Sequence, residues 1–464
     1  MFSPHPSQLS QILSQEPVDA THMTLTRRDA LTGIGLAGLG LTSFVSALAR
    51  GEHVRAAGNP IITGRGVCDP QVRVWDGEAW LYATHDADPA AEGFVMRDWQ
   101  VWRSRNLVDW RHAGTLRPEQ TYWGRPSDQC WATDAARKDG CYYLYFSRGP
   151  KEIGVVVADH PAGPWRDPIG KPLIAEGLVA TEARDPGILQ DADGANYLVF
   201  GTFRYFIARL GEDMVSLAEP PRRLRVENAV GPYAKGLTDD KPFLHRRGDL
   251  YYLSWGSYYA IGRSPYGPFE TQGSILSEAT TDPELRLVRR GARYNLLNYD
   301  RHGSFFELNG QCYFACNDQA TPGATEHYRN SLISYVHYRA DGTIAPVRLD
   351  TVGVGQYDAR RGIAAADFFD VRGSAVAHRG GDTFVLELSP GGLARYPGVR
   401  GVTGALTIRA DGPLEIRRGN AQGRLLGRGQ GRVALAGARA TEDLCLVNTG
   451  SAPIRVDRLT FEGT

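Results

Sequence analysis

Asp185-Pro-Gly-Ile-Leu-Gln-Asp-Ala-Asp-Gly194-Ala-Asn-Tyr-Leu-Val-Phe-Gly201 decides the fold. An acidic residue opens a short apolar strand, a glycine turn follows, and a second strand of aromatic and apolar residues ends on a small residue. The same pattern occurs four more times. The turn-and-strand half reads Gly77-Glu-Ala-Trp-Leu-Tyr-Ala-Thr-His85, Gly140-Cys-Tyr-Tyr-Leu-Tyr-Phe-Ser147, Gly248-Asp-Leu-Tyr-Tyr-Leu-Ser-Trp-Gly256 and Gly310-Gln-Cys-Tyr-Phe-Ala-Cys-Asn317. The five glycines are 63, 54, 54 and 62 residues apart, the length of a four-stranded blade, and five blades make a β-propeller. Asp76-Gly77, Asp139-Gly140 and Asn309-Gly310 are hairpin turns in their own right.

The opening strand of each repeat begins on a polar residue: Asp69, Asp134, Asp185, Asp240 and His302. These stand 8, 6, 9, 8 and 8 positions before the turn glycine. In a propeller the first strand of a blade lines the central channel, so all five are expected at one mouth of it. Crowded carboxylates raise one another's pKa values, a cost characteristic of sites that do acid–base chemistry or hold a cation. The competing reading for each aspartate alone is a turn-capping role. Two carboxyl groups across a channel are what glycoside hydrolysis requires. One protonates the leaving oxygen, and the other, set far enough away to admit water, activates that water and inverts the configuration.

Around these positions the chain resembles glycoside hydrolase family 43, over roughly residues 60–350. The resemblance is carried by Cys-Asp69-Pro, Asn-Leu-Val-Asp-Trp110, Cys-Trp131-Ala-Thr-Asp134, Arg-Asp185-Pro-Gly-Ile-Leu and Asp300-Arg-His302-Gly-Ser-Phe. It implies a five-bladed propeller and an inverting enzyme acting on arabinofuranosides and xylosides. It also implies Asp69 as general base, Asp185 as the carboxylate that orients the acid and raises its pKa, and His302 as the channel histidine that holds a calcium ion or its waters. That calcium is structural, and no cofactor is required. Asp134, His85, Asp86, Trp131 and Arg329 are candidates for contact with the sugar; a turn-bonding pair for His85 and Asp86 and a blade-packing role for Trp131 compete with this.

The acid position departs from the family pattern, where glutamate precedes a small residue and then Pro or Ser. Here the stretch reads Thr238-Asp239-Asp240-Lys241-Pro242, and the register from Pro242 and Gly248 selects Asp240 as general acid. Aspartate is one methylene shorter, about 1.5 Å. The leading expectation is an α-L-arabinofuranosidase working on arabinose- or xylose-containing oligo- and polysaccharides. The alternatives are a β-xylosidase or arabinanase on the same fold, and a non-catalytic sugar-binding propeller. A related fructan-acting propeller needs an Asn-Asp-Pro-Asn type motif, which Cys68-Asp69-Pro70-Gln71 does not match.

Beyond Gly362 the texture changes. All nine tryptophans precede it, and short strand-like runs follow at 383–388, 405–410, 414–417, 444–447 and 454–461, with Asp411-Gly412 as a hairpin turn. This pattern predicts a jelly-roll-like β-sandwich over 363–464 after a linker at 356–362, with the propeller at 58–355. The stretch from Ala366 through Tyr396-Pro-Gly-Val to Arg458-Leu-Thr-Phe461 resembles family 6 carbohydrate-binding modules. Those clamp a sugar between Tyr and Trp; here Tyr396 stands without the Trp, so packing against the propeller competes with sugar binding.

Residues 1–57 read as a leader and signal peptide. Thr26-Arg27-Arg28-Asp29-Ala30-Leu31 precedes an apolar Gly-rich run, and Ala47-Leu48-Ala49 offers a cleavage site. The paired arginines indicate twin-arginine export to the periplasm or beyond, with no lasting membrane association. That route carries folded protein, so the six cysteines are not needed as a disulfide framework; Cys312 and Cys316, four strand residues apart, are too distant to bridge. Balanced charge, 52 basic against 52 acidic residues, excludes a polyanion-binding surface on net charge and argues against a nucleic-acid partner.

Overall fold

The computed structural model describes residues 52–287 and 295–462, so the signal segment lies outside the described residues. The five repeats form five sheets in chain order, antiparallel except for the outer pair Val226–Glu227 with Phe269–Glu270 of blade IV. Their innermost strands are Val67–Trp75, Cys130–Lys138, Gly187–Gln190, Pro242–Arg247 and Gly303–Leu308, each paired with the aromatic strand after its turn. Each innermost strand touches the next, and that of blade V touches that of blade I, closing the ring. The three expected hairpin turns have both residues at positive φ (52 and 72°, 52 and 81°, 56 and 77°). That is the twist-matched two-residue turn Asx-Gly pairs favour.

Aromatic and β-branched side chains of the middle strands fill the spaces between blades. Trp99, Phe146 and Leu144 lie between blades I and II, and Tyr205, Trp255 and Leu253 between III and IV. The ring is latched by Asn59, whose side chain donates to the carbonyls of Ile333 (3.0 Å) and Asp350 (2.9 Å) and accepts from Ile333 N–H. His53–Arg55, within the segment assigned to the leader, pairs with Asp109–Arg111 as the outer edge of blade I.

The C-terminal domain is a ten-stranded sheet folded into a nearly closed sandwich. Its organiser is the 17-residue strand Phe384–Arg400, which pairs with Ile454–Phe461 at one end and Thr441–Val447 at the other. Three of the five expected runs, 405–410, 414–417 and 454–461, recur within one residue at each end; 444–447 begins earlier, as Thr441–Val447. The strand at 384 extends far beyond its expected end. Asp411-Gly412 is not a hairpin turn. Ala405–Ala410 pairs with Ile454–Phe461, whereas Leu414–Arg418 pairs with Thr441–Val447, so the two residues form a corner between different parts of the sheet. The side chain of Asp411 accepts from Arg455 N–H (2.6 Å), fixing that corner.

The stretch expected as a linker is woven into this domain. Tyr357–Asp358 pairs with Val399–Arg400, and Ile363–Ala364 pairs with Arg458–Leu459. Gln311 donates to Ala366 O (2.7 Å), and Phe369 packs into the core that blades I and V share. All six cysteines are free thiols. Among the described residues no helix is long and apolar enough to cross a membrane.

Candidate active site

Four of the five register positions converge. Asp69, Asp185, Asp240 and His302 line one pocket of about 120 Å3 at the mouth of the channel, joined by Trp131, Arg184, Tyr233, Asp300, Gln319 and Arg329. Three of the innermost strands are entered through an X-Pro step whose first residue is left-handed: Asp69 (φ 48°), Asp185 (60°) and Lys241 (53°); ahead of blade V, Asp300 (51°) is left-handed without a following proline. This conformation is costly for side-chain-bearing residues and characteristic of functional sites. It turns the chain sharply into the channel, so the side chain at the kink or beside it faces the pocket.

Asp134 is the exception. It lies two residues nearer its turn than Asp69 does, which on a strand is about 6.5 Å deeper. The position in register with Asp69 is Ala132, and Ala132 lines the pocket. Asp134 accepts instead from Arg73, Ala135 N–H (2.7 Å) and Ile188 N–H (2.6 Å), bracing blades I, II and III from below. His85 and Asp86 are also outside the pocket lining. His85 pairs with Asp98 (2.8 Å), and the fully buried Asp86 anchors Arg329.

Asp69 is held for one role. Asn317 clasps it, accepting from Asp69 N–H (2.6 Å) and donating to Oδ1 (2.8 Å). Arg329 donates to both of its oxygens (3.0 and 3.2 Å) while also gripping Asp86 (3.0 and 3.2 Å). Burial acts against ionisation, but Arg329, His302 and Asn317 together hold the Asp69 carboxyl well below the usual range, so it is a carboxylate.

Across the pocket, Asp240 Oδ1 is 2.6 Å from His302 Nε2, and Oδ2 is 3.1 Å from Arg184 Nη1. The contact to His302 is close but poorly aligned; neither atom has a well-directed hydrogen bond. Burial again opposes ionisation, yet His302 and Arg184 hold the Asp240 carboxyl low. Burial pushes Asp185 up to about 6, Asp240 adding to this and Arg184 opposing it. Asp239 is raised by burial and by its neighbour Asp240. Its Oδ2 is 3.5 Å from the same His302 nitrogen. Burial disfavours an imidazolium at His302, but Asp240, Asp300 and Asp239 outweigh it and raise the ring well above its usual range.

Six buried or half-buried carboxyl groups (Asp69, Asp86, Asp185, Asp239, Asp240, Asp300) thus face four cationic groups (Arg184, Lys241, His302, Arg329). With more carboxyls than cations, burial leaves Asp86, Asp185 and Asp239 raised above the usual carboxylate range. Lys241, 1% exposed, donates through Nζ to Thr133 O (2.7 Å) and through its backbone N–H to Asp185 (3.1 Å).

Asp69, Asp300 and His302 bring their ligand atoms within 4.8 Å of one another, as do Asp239, Asp240 and His302. Calcium takes six to eight oxygens, so at these clusters the carboxylates of Asp69, Asp300, Asp239 and Asp240 would supply protein oxygens and His302 would meet such an ion through its waters.

Sequence reading missed Asn317, Arg184, Lys241, Tyr233, Tyr299 and Asp300 as site residues. Asn317, and with it Ser147 beneath Asp185, had a visible signal in the small polar ends of the repeats. Asn317 ends the fifth repeat and binds Asp69 N–H, and Ser147 ends the second and accepts from Asp185 N–H (2.9 Å). A larger cavity, about 330 Å3, opens between propeller and C-terminal domain, but its acids are neutralised in pairs, Asp350 with Arg348 (2.8 Å) and Asp367 with His337 (2.7 Å). The smaller pocket, where Asp69, Asp185 and Asp240 converge, is the candidate active site.

Comparison with known proteins agrees with this geometry. The family model "Glycosyl hydrolases family 43" matches residues 57–344. A xylosidase/arabinosidase of Bacteroides ovatus is 27% identical over 339 residues, covering 62% of this chain and 96% of that protein. A β-D-galactofuranosidase of Aspergillus niger is 29% identical over 323 residues, covering 64% and 87%. Among solved structures, the GH43_1 enzyme from Xanthomonas citri complexed with xylotriose superposes with a TM-score of 0.51 at 28% identity, covering 64% of this chain and 96% of that one. Propeller, pocket and family match converge, and the chain belongs to glycosyl hydrolase family 43, a glycosidase that hydrolyses O-glycosyl bonds.

Proposed function

We propose that the protein is an inverting, exo-acting α-L-arabinofuranosidase that removes single sugars from arabinoxylan-type polysaccharide. The carrying observation is that Asp69, held as a carboxylate, and Asp240 face each other across one imidazole ring: His302 Nδ1 is 3.7 Å from Asp69 and Nε2 is 2.6 Å from Asp240. An imidazole's width between the two supports room for a water beneath the sugar, as inversion requires. Asp69 accepts the proton of that water. Asp240 delivers a proton to the departing oxygen. In the free pocket Asp240 is ionised, so its proton comes from the group it shares with Asp239, His302 and Asp185, whose titrations belong to the set rather than to one residue. Asp185 keeps that proton available near neutral pH. Arg329 positions the base.

A pocket of about 120 Å3, well below the 300–1,000 Å3 typical of drug-sized ligand sites, suits one terminal sugar and favours exo action. The arabinosidase and galactofuranosidase names of the two relatives favour a furanose. The xylosidase name and the xylotriose-bound structure favour the second reading, β-xylosidase.

The test compares aryl α-L-arabinofuranoside, aryl β-D-xyloside and aryl β-D-galactofuranoside, with Asp69→Asn and Asp240→Asn beside the wild type. Asp69→Asn is expected to abolish turnover. Asp240→Asn is expected to keep activity on activated aryl glycosides and lose it on oligosaccharides, because a good leaving group needs no acid. Turnover of none of these, nor of arabinoxylan, sinks the reading in favour of a binding propeller. For the C-terminal domain we propose a packing role rather than sugar clamping: Tyr396, the residue retained from the binding-module pattern, is 0% exposed and donates to Ala365 O (2.7 Å). The Arg27-Arg28 signal supports export to the periplasm; loss of export on Arg27→Lys/Arg28→Lys tests that.

A further inference from the structure

The pocket accounts for the sugar that is released but not for the chain it leaves, and an exposed aromatic lies beside the acid half. Phe203 is 46% exposed and left-handed, with φ 58°. For a residue with a Cβ that conformation costs about 1–2 kcal/mol, and a solvent-facing bend ordinarily takes Gly or Asn there. The bend is fastened to the acid side of the pocket. Phe203 N–H donates to Asp239 O (3.0 Å), and Thr202 Oγ1 accepts from Arg184 Nε (2.8 Å), the same guanidinium that pairs with Asp240. The Phe203 ring stands edge-on to Tyr233 (5.6 Å, 73°), and Tyr233 edge-on to Tyr299 (6.1 Å, 86°); both tyrosines line the pocket. Leu237, on the loop that carries Tyr233, is also exposed.

Direction follows from the chemistry. In a single displacement the water arrives on the base side and the leaving group departs on the acid side. The base is held by blades I and V, through Asn317 and Arg329, whereas Asp240, Arg184 and Phe203 belong to blades III and IV. A pyranose ring presents an apolar face of C–H groups, and an exposed aromatic face held still by a strained backbone suits it, because little rotamer or backbone freedom remains to be lost on binding.

We propose that Phe203 is the stacking platform of the first leaving-group subsite and takes a pyranose ring of the polysaccharide from which the terminal sugar is cut. The assignment rests on the sugar-hydrolase reading above. It makes Phe203 a specificity residue for the length of the substrate and not for the sugar released.

The experiment exploits the strain. Phe203→Gly removes the ring and relieves the left-handed backbone, so the variant should melt no lower than the parent. In full-length protein carrying Asp69→Asn to block turnover, affinities are measured for arabinose against arabinofuranosyl-xylotriose and, in parallel, xylose against xylotriose. Phe203→Gly should leave the monosaccharides unchanged and weaken the oligosaccharides about three- to ten-fold, the worth of one aromatic contact. Phe203→Trp should restore or exceed the parent affinity. In the active background, kcat/KM on oligosaccharides should fall by the same factor. Unchanged oligosaccharide affinity in Phe203→Gly, or equal weakening of mono- and oligosaccharides, overturns the assignment while leaving the hydrolase reading intact. A parent protein that binds none of the four sugars overturns the hydrolase reading first and this assignment with it.

Discussion

Replacing Arg329 by methionine removes one buried cation from between three carboxylates while keeping much of its volume. Arg329 lies within 3.4 Å of Asp69, Asp86 and Asp300, and it is 3% exposed. Breaking a buried ion pair by deleting one partner costs about 3–5 kcal/mol, because the charge left behind is stranded. For a domain of this size that is a melting-temperature loss on the order of 5–15 °C at pH 7.5. The pH dependence separates this from a packing defect. In the parent, Asp69 is held below its unfolded pKa, so its contribution is present above that pKa and is lost only as pH falls through the depressed folded value. Asp86 is raised by burial even with Arg329 beside it. In the variant both carboxyls are raised, so the penalty is complete at pH 7.5 and shrinks towards pH 4.5, where they are protonated. Calorimetry at the two pH values should give a large gap at 7.5 and a distinctly smaller one at 4.5. The acid limb of kcat/KM should move to higher pH as the base becomes harder to ionise, with turnover about 100-fold lower from loss of its positioning. An equal melting loss at both pH values, or an acid limb that stays in place, would refute the electrostatic argument and reduce Arg329 to a packing residue.

Other consequences follow from the same charges. Asp185, pushed up to about 6, adds stability only below its unfolded pKa and withdraws it as pH rises to 6; Asp185→Asn should therefore match the parent's melting temperature at pH 4 and exceed it at pH 8, by about 2–3 kcal/mol in stability, while losing activity on oligosaccharides. Tyr396→Phe should cost about 1 kcal/mol for its hydrogen bond to Ala365 O and leave retention on arabinoxylan in affinity electrophoresis unaltered.

The fold was legible because each blade repeats two local instructions, a turn glycine and an aromatic strand, that need no partner elsewhere to be read. The same counting located Asp69, Asp185, Asp240 and His302. It also carried the signal that Asp134 differs: an offset of 6 instead of 8 places a side chain two residues deeper, where Arg73 and two backbone N–H groups take it. Asp411-Gly412 misled for the opposite reason. A turn dipeptide reports that the chain bends, and whether its flanking strands pair with each other is decided by partners 30 to 50 residues away, Thr441–Val447 and Ile454–Phe461. Arg184 and Arg329 were hidden or underread because their work depends on distances across blades. Arg329 meets Asp69 across 260 residues, and no local pattern encodes that.

The shortened acid takes its meaning from the same cross-blade charges. A glutamate at position 240 would extend about 1.5 Å further along the side chain. In this pocket that reach would carry the carboxyl past, or into, the positions where His302 and Arg184 now meet Asp240 at 2.6 and 3.1 Å. Lys241 occupies a step where the family pattern has a small residue, and its ammonium reaches across to Thr133 O and Pro186 O, tying blade IV to blades II and III. The lysine fixes where the strand enters, and the left-handed backbone it adopts at φ 53° presents the preceding side chain to the pocket. Asp240 and Lys241 are therefore best understood as one unit: the short acid is served by cations close to the backbone, and the long lysine anchors that backbone. Exchanging Asp240 for glutamate alone should lower activity, because the enzyme's geometry is built around the pair rather than around the acid.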